Sequence, residues 1–144
     1  MYKCFFGLVA FLSLTLNTFG SANLDVDTNK LVVSTQQGLL QGIKEKGVSV
    51  WKGVPYAKAP IGDLRFKAPQ PAENWKGLRK ADTFGNMAMG YKRSKKDQQE
   101  QSEDCLFLNV WSPAADAKKR PVMFWIHGGG FISGSGSSDL YDGA

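Results

Sequence analysis

The sequence predicts an α/β fold in which a small antiparallel β-meander leads into the first strands of a central mixed sheet. Three observations carry that expectation. Residues 31–35, 39–43 and 48–51 are short β-prone runs separated by the Gly-containing turns 36–38 and 44–47, the pattern of strands joined by tight hairpins. Residues 106–111 alternate and are stopped by Ser112 and Pro113, as a further strand would be. Residues 122–126, Val-Met-Phe-Trp-Ile, form a solid apolar run between Pro121 and a glycine cluster. That composition is expected of a strand covered on both faces inside a parallel sheet.

Ahead of the meander, residues 1–22 read as a secretory signal. Lys3 supplies the positive start, residues 5–16 an apolar core, and Gly20, Ser21 and Ala22 small residues for cleavage, with the cut expected after Ala22 and Gly20 as the second choice. The apolar core is shorter than the roughly 20 residues a bilayer span needs, and an uncleaved anchor is the alternative. Cys4 precedes the apolar core and is poorly placed for lipid modification. The mature chain is then expected in a secreted or periplasmic location, starting with a loose polar stretch, residues 23–30.

The formal net charge is +5. Loss of residues 1–22 removes Lys3 and no acidic residue, which lowers it to +4. The densest basic run, Lys92-Arg93-Ser94-Lys95-Lys96, is followed at once by Asp97, Glu100, Glu103 and Asp104. A run with its own counter-charges and no interleaved aromatics reads as a solvated loop, so nucleic acid is not an expected partner. Two cysteines and one histidine occur. With Cys4 gone, Cys105 and His127 cannot build the usual zinc site, and no metal or other cofactor is expected.

Between the meander and residue 106, Pro55, Pro60, Pro69 and Pro71 with Gly53 and Gly62 exclude a long helix from residues 52–75. Val54, Tyr56, Leu64, Phe66 and Trp75 are too apolar for a free linker. An ordered loop packed on the body is expected, with Arg65 available to pin it by an ion pair. Residues 82–101 read as a surface loop with a short helical piece toward 97–101, and residues 114–120 as a polar turn making a hairpin-like passage into 122–126.

The apolar run empties into Gly128, Gly129 and Gly130. Glycines leave backbone uncovered and make positive φ inexpensive, so several N–H groups can be aimed at one point. Donors held that way can stabilise negative charge developing on a former carbonyl oxygen. Hinges and tight turns use the same residues. A phosphate cradle is disfavoured, because neither G-x-G-x-x-G nor G-x-x-x-x-G-K-[ST] can be read from residues 128–136.

Three blocks now coincide: residues 52–66 (KGVPYAKAPIGDLRF), 102–111 (SEDCLFLNVW) and 125–131 (WIHGGGF), with Trp75, Gly77, Phe84 and Gly85 between them. In order and spacing they resemble the N-terminal portion of the type-B carboxylesterases, the group that includes the cholinesterases. The resemblance implies an α/β-hydrolase fold and hydrolysis of small-molecule carboxylic esters by a Ser–Glu/Asp–His triad through an acyl-enzyme. Carried over by position, Gly129 and Gly130 match the two oxyanion-hole N–H donors of the family. Arg65 and Glu103 match a buried ion pair, whose loss would cost about 3–5 kcal/mol. Cys105 matches a cysteine that is often disulfide-bonded upstream, but residues 86–89, Asn-Met-Ala-Met, hold no partner. A small buried thiol without a reactive role is expected instead.

The triad itself cannot be assigned. No G-x-S-x-G occurs: Gly134-Ser135-Gly136-Ser137-Ser138 has the wrong spacing, and His127 belongs to the glycine loop. Helices that should cover the sheet after Gly130 would have to come from further residues. Residues 23–144 are therefore expected to be the N-terminal part of a longer hydrolase domain. The alternatives are a non-catalytic cholinesterase-like binding or adhesion relative, or an inactive truncated product.

Overall fold

The computed structural model describes residues 31–91 and 100–144. The signal-like segment and the basic run at 92–96 lie outside the described residues, as does most of the stretch expected to be helical near 97–101. Among the described residues there are five strands: β1 (Leu31–Ser34), β2 (Leu39–Glu45), β3 (Val48–Pro55), β4 (Leu78–Lys80) and β5 (Phe107–Ser112). Two single-turn 3-10 helices, Gly62–Leu64 and Asp139–Tyr141, complete the regular structure of the described residues.

The expected meander is formed. β1, β2, β3 and β5 lie side by side in that order, each antiparallel to the next. At the β2–β3 connection Lys46 and Gly47 have φ of 47° and 82°, with Glu45 opposite Val48. Positive φ at both central residues makes a two-residue type I′ hairpin, whose twist matches that of the flanking strands. The β1–β2 turn closes differently: the Thr35 N–H and hydroxyl both donate to Gly38 O, at 3.0 and 2.8 Å.

β4 has no counterpart in the sequence reading. Its three residues are exposed, and it pairs parallel to β2 at Leu39, Leu40 and Gln41. No periodicity marks so short a run; only the β2 edge makes it a strand. β2 thus serves two neighbours with its first half and hands its second half, Ile43 to Glu45, to β3.

The core sits where these pairings meet. Leu40, Trp51 and Ala81 are 3%, 5% and 1% exposed, and burying a large apolar side chain contributes about 1.5–3 kcal/mol. Val33, Val54 and Trp75 pack around them. The Trp51 ring lies so close to β2 that a Cβ at Gly42 would fall 2.7 Å from its Nε1 and 2.5 Å from Val50 O; only glycine fits there. β3 runs four residues further than the sequence suggested, to Pro55 rather than Trp51. It does so through a bulge between Trp51 and Val54, where Gly53 takes φ 65° and donates its N–H to Asn109 Oδ1 at 2.9 Å.

Beyond β3 the Pro-rich segment is pinned at its ends. Ala57 is buried and bridges Pro71, while Trp75 donates its backbone N–H to Gln37 O and its ring N–H to Leu39 O. The middle departs from expectation: Phe66 is 99% exposed. Among the described residues of the surface loop after Asp82, Met87 is the buried one, bridged to Gln101.

The largest correction concerns residues 122–126. No strand forms there, and Val122, Met123, Phe124, Trp125 and Ile126 are 61–90% exposed. Nor does 114–120 make a hairpin passage. A strand buried on both faces draws its ladder from two neighbours and its cover from helices; among the described residues no strand pairs with this run, and the Tyr141 ring of the second 3-10 helix meets Trp125 at 5.4 Å between centroids without burying it.

Candidate functional site

The glycine loop begins where the apolar run ends. Gly129 and Gly130 have φ of 129° and 61°, Phe131 has φ 61° and Gly134 φ 101°. A left-handed phenylalanine is a strained position that its surroundings must hold, and Phe131 projects fully into solvent. Glycine is obligatory at 129 for a second reason: a Cβ there would lie 1.8 Å from Ser133 O.

Two peptide units of this loop are anchored by their carbonyl ends. Gly128 O accepts from His127 Nδ1 at 2.8 Å, which requires the proton on Nδ1. Gly129 O accepts from the N–H groups of Ile132 and Ser133, both at 3.2 Å, and from Ser133 Oγ at 3.4 Å. The opposite ends of those same peptides are the N–H groups of Gly129 and Gly130. Among the described residues, neither meets an acceptor. The sequence reading had the glycines but missed the Ile132–Ser133 turn that holds them; the positive-φ Gly134 closing the loop was the available signal.

Arg65 and Glu103 are brought together, with Arg65 Nε 2.6 Å from Glu103 Oε1, but the side chains are 53% and 39% exposed. The pairing expected from the sequence is present and its burial is not. Solvent screens an exposed pair, so its contribution falls from the buried-pair range to about 0–1 kcal/mol. Cys105 is a free thiol among the described residues. Burial, reinforced by the carboxylates of Asp104 and Glu103, raises its pKa, which removes thiolate at neutral pH and with it nucleophilic reactivity. Burial also raises the pKa of Tyr56.

Two clefts of about 330 and 340 Å³ flank Trp111, the second lined by Glu45, Lys52, Phe84, Ser137 and Tyr141. Neither is lined by Gly129 or Gly130. The geometry that could act on a substrate is therefore the pair of N–H groups left without an acceptor among the described residues, rather than a closed pocket. Among the described residues no group of three His, Cys, Asp or Glu side chains could hold a metal ion, and no helix is long and apolar enough to cross a membrane.

A β-meander followed by an apolar run and a Gly-Gly-Gly turn keeps the order of elements that the resemblance to the carboxylesterase α/β-hydrolases implies. A sequence profile of the carboxylesterase family matches residues 29–144, and the chain belongs to that family. It is 46% identical over 117 residues to a para-nitrobenzyl esterase of Bacillus subtilis, covering 78% of this chain and 24% of the relative. A cholinesterase of Mus musculus is 35% identical over 139 residues, covering 87% of this chain and 23% of that protein. Among solved structures, a carboxylesterase of Geobacillus stearothermophilus superposes with a TM-score of 0.72 at 56% identity, over 78% of this chain and 22% of its own. The chain thus spans about a quarter of the length of the relatives it matches, and corresponds to their N-terminal part.

Proposed function

We propose that the whole protein is a carboxylic ester hydrolase acting on small-molecule esters, and that this chain supplies its oxyanion-binding loop, with the N–H groups of Gly129 and Gly130 as donors. One observation supports the assignment above the others. Both carbonyls behind these two donors are bonded within the loop, so the N–H groups are held in fixed directions without an internal acceptor. Fixed dipoles of this kind stabilise the tetrahedral intermediate of acyl transfer without reorganising during the reaction. Serine attack, proton transfer by histidine and orientation by a carboxylate fall to residues of the whole protein outside this quarter. The esterase names of the relatives favour this reading over that of a non-catalytic binding relative.

The same reading includes export. Lys3, the apolar core at 5–16 and the small residues Gly20, Ser21 and Ala22 suit a cleaved signal, with residues 23–144 opening the mature hydrolase domain.

The test is hydrolysis of a p-nitrophenyl ester series by the whole protein and by its Gly129→Ala variant. Since the added Cβ would collide with Ser133 O, the variant is expected to lose about 10²–10³ in kcat with little change in KM. A folded wild-type protein that cleaves no ester, or a variant with undiminished kcat, would overturn the assignment.

A further inference from the structure

We infer that His127 is a positioning residue for ester hydrolysis: its Nδ1–H holds the Gly128–Gly129 peptide in the orientation that presents the Gly129 N–H to the oxyanion. The inference rests on the proposed role of Gly129 and adds a residue to it. A trans peptide is planar, with its C=O and N–H directed oppositely. Fixing Gly128 O therefore fixes the direction of Gly129 N–H. The peptide is flanked by two glycines, whose rotation about ψ of Gly128 and φ of Gly129 is otherwise nearly free. His127 Nδ1, 2.8 Å from Gly128 O, removes that freedom at the side opposite the donor.

A second, separate observation supports the same arrangement. Gly134 is packed against both atoms of this hydrogen bond: a Cβ there would lie 2.5 Å from Gly128 O and 2.8 Å from His127 Nδ1. The contact is backbone on one side and a short ring on the other, so a methyl group has no room unless the bond between them opens. The neighbouring donor is held by other means, since Gly129 O is tied by the Ile132–Ser133 turn. The two donors are thus set independently, one by a side chain and one by a turn. His127 is exposed and packs in no core, so its replacement is expected to leave the fold intact.

The experiment compares His127→Ala, His127→Asn and Gly129→Ala in the whole protein, by steady-state kinetics and by affinity for a trifluoromethyl ketone that mimics the tetrahedral intermediate. Thermal melting checks the fold of each. His127→Ala is expected to lower kcat roughly tenfold, the scale of one misplaced hydrogen bond, with KM unchanged and ketone affinity falling by the same factor. Asparagine places an amide N–H near the position of Nδ1, so His127→Asn is expected to recover most of kcat. If Gly129→Ala is damaged while His127→Ala keeps full kcat, or if the asparagine variant fails to recover, His127 does not position the loop. If neither Gly129→Ala nor His127→Ala alters kcat, the oxyanion assignment fails along with it.

Discussion

Two segments of this chain that both read as strands and both carry valine and tryptophan meet opposite fates. In β3, Val50 is fully buried and Trp51 is 5% exposed; in residues 122–126, Val122 and Trp125 are 88% and 61% exposed. β3 has β2 on one side and β5 on the other, and Ser49, Val50 and Trp51 are buried between them and the packed core. Residues 122–126 pair with no strand among the described residues, and their cover is slight, the Trp125 ring meeting Tyr141 at 5.4 Å between centroids. Strand propensity measures fit to a pleated, half-buried surface, and without the surface it yields no strand.

The sharpest way to break the comparison is to truncate a large ring in each segment and unfold the chain in denaturant, followed by circular dichroism. Trp51→Ala is expected to cost about 3–5 kcal/mol, through lost burial and the cavity left behind. Phe124→Ala is expected to stay within about 0.5 kcal/mol, because its side chain is already in water. Equal losses would mean that residues 122–126 are packed in solution.

Gly42→Ala comes next. It adds one methyl group against Val50 O and the Trp51 ring, and overpacking of that kind costs about 1–3 kcal/mol, read from the same denaturation midpoint. An unchanged midpoint would show that the Trp51 ring can retreat from β2. Arg65→Ala is smaller. With both partners exposed, it is expected to cost under about 1 kcal/mol; a loss of several would mean that the pair is covered in the whole protein, as in the buried pairing its family resemblance implies.

The smallest effect is electrostatic and lies in the approach to residues 122–126. Arg120 forks onto Asp116 with contacts of 2.5 and 2.8 Å, and the hydrogen bonding from Arg120 lowers the Asp116 pKa to about 2. A depressed carboxylate favours the folded chain above its ordinary pKa of about 3.9, and that contribution disappears as pH falls through about 2. An NMR titration is expected to place the Asp116 midpoint near 2 and, in Arg120→Gln, back in the usual range. The same midpoint in both would show that the fork is not maintained in solution.

Much of the molecule was legible in the residues alone. The strands of the meander follow from β-prone runs cut by turns expected at 36–38 and 44–47, the second shorter than expected because β2 runs on to Glu45, and a resemblance in three blocks was sufficient to name the family. The illegible parts have a shared cause. β4 is a strand only because β2 offers an edge; the bulge that extends β3 exists only because Gly53 meets Asn109; residues 122–126 read as a strand and lack strand partners among the described residues.

By itself, the sequence determined local backbone: where the chain bends back between short β-prone runs and where glycine leaves the main chain uncovered. These are properties of a residue and its nearest neighbours along the chain. Tertiary structure alone decided which extended runs became strands and how far the Arg65–Glu103 pair is covered. Such outcomes depend on partners distant in sequence and on the water they displace, and no local pattern encodes either.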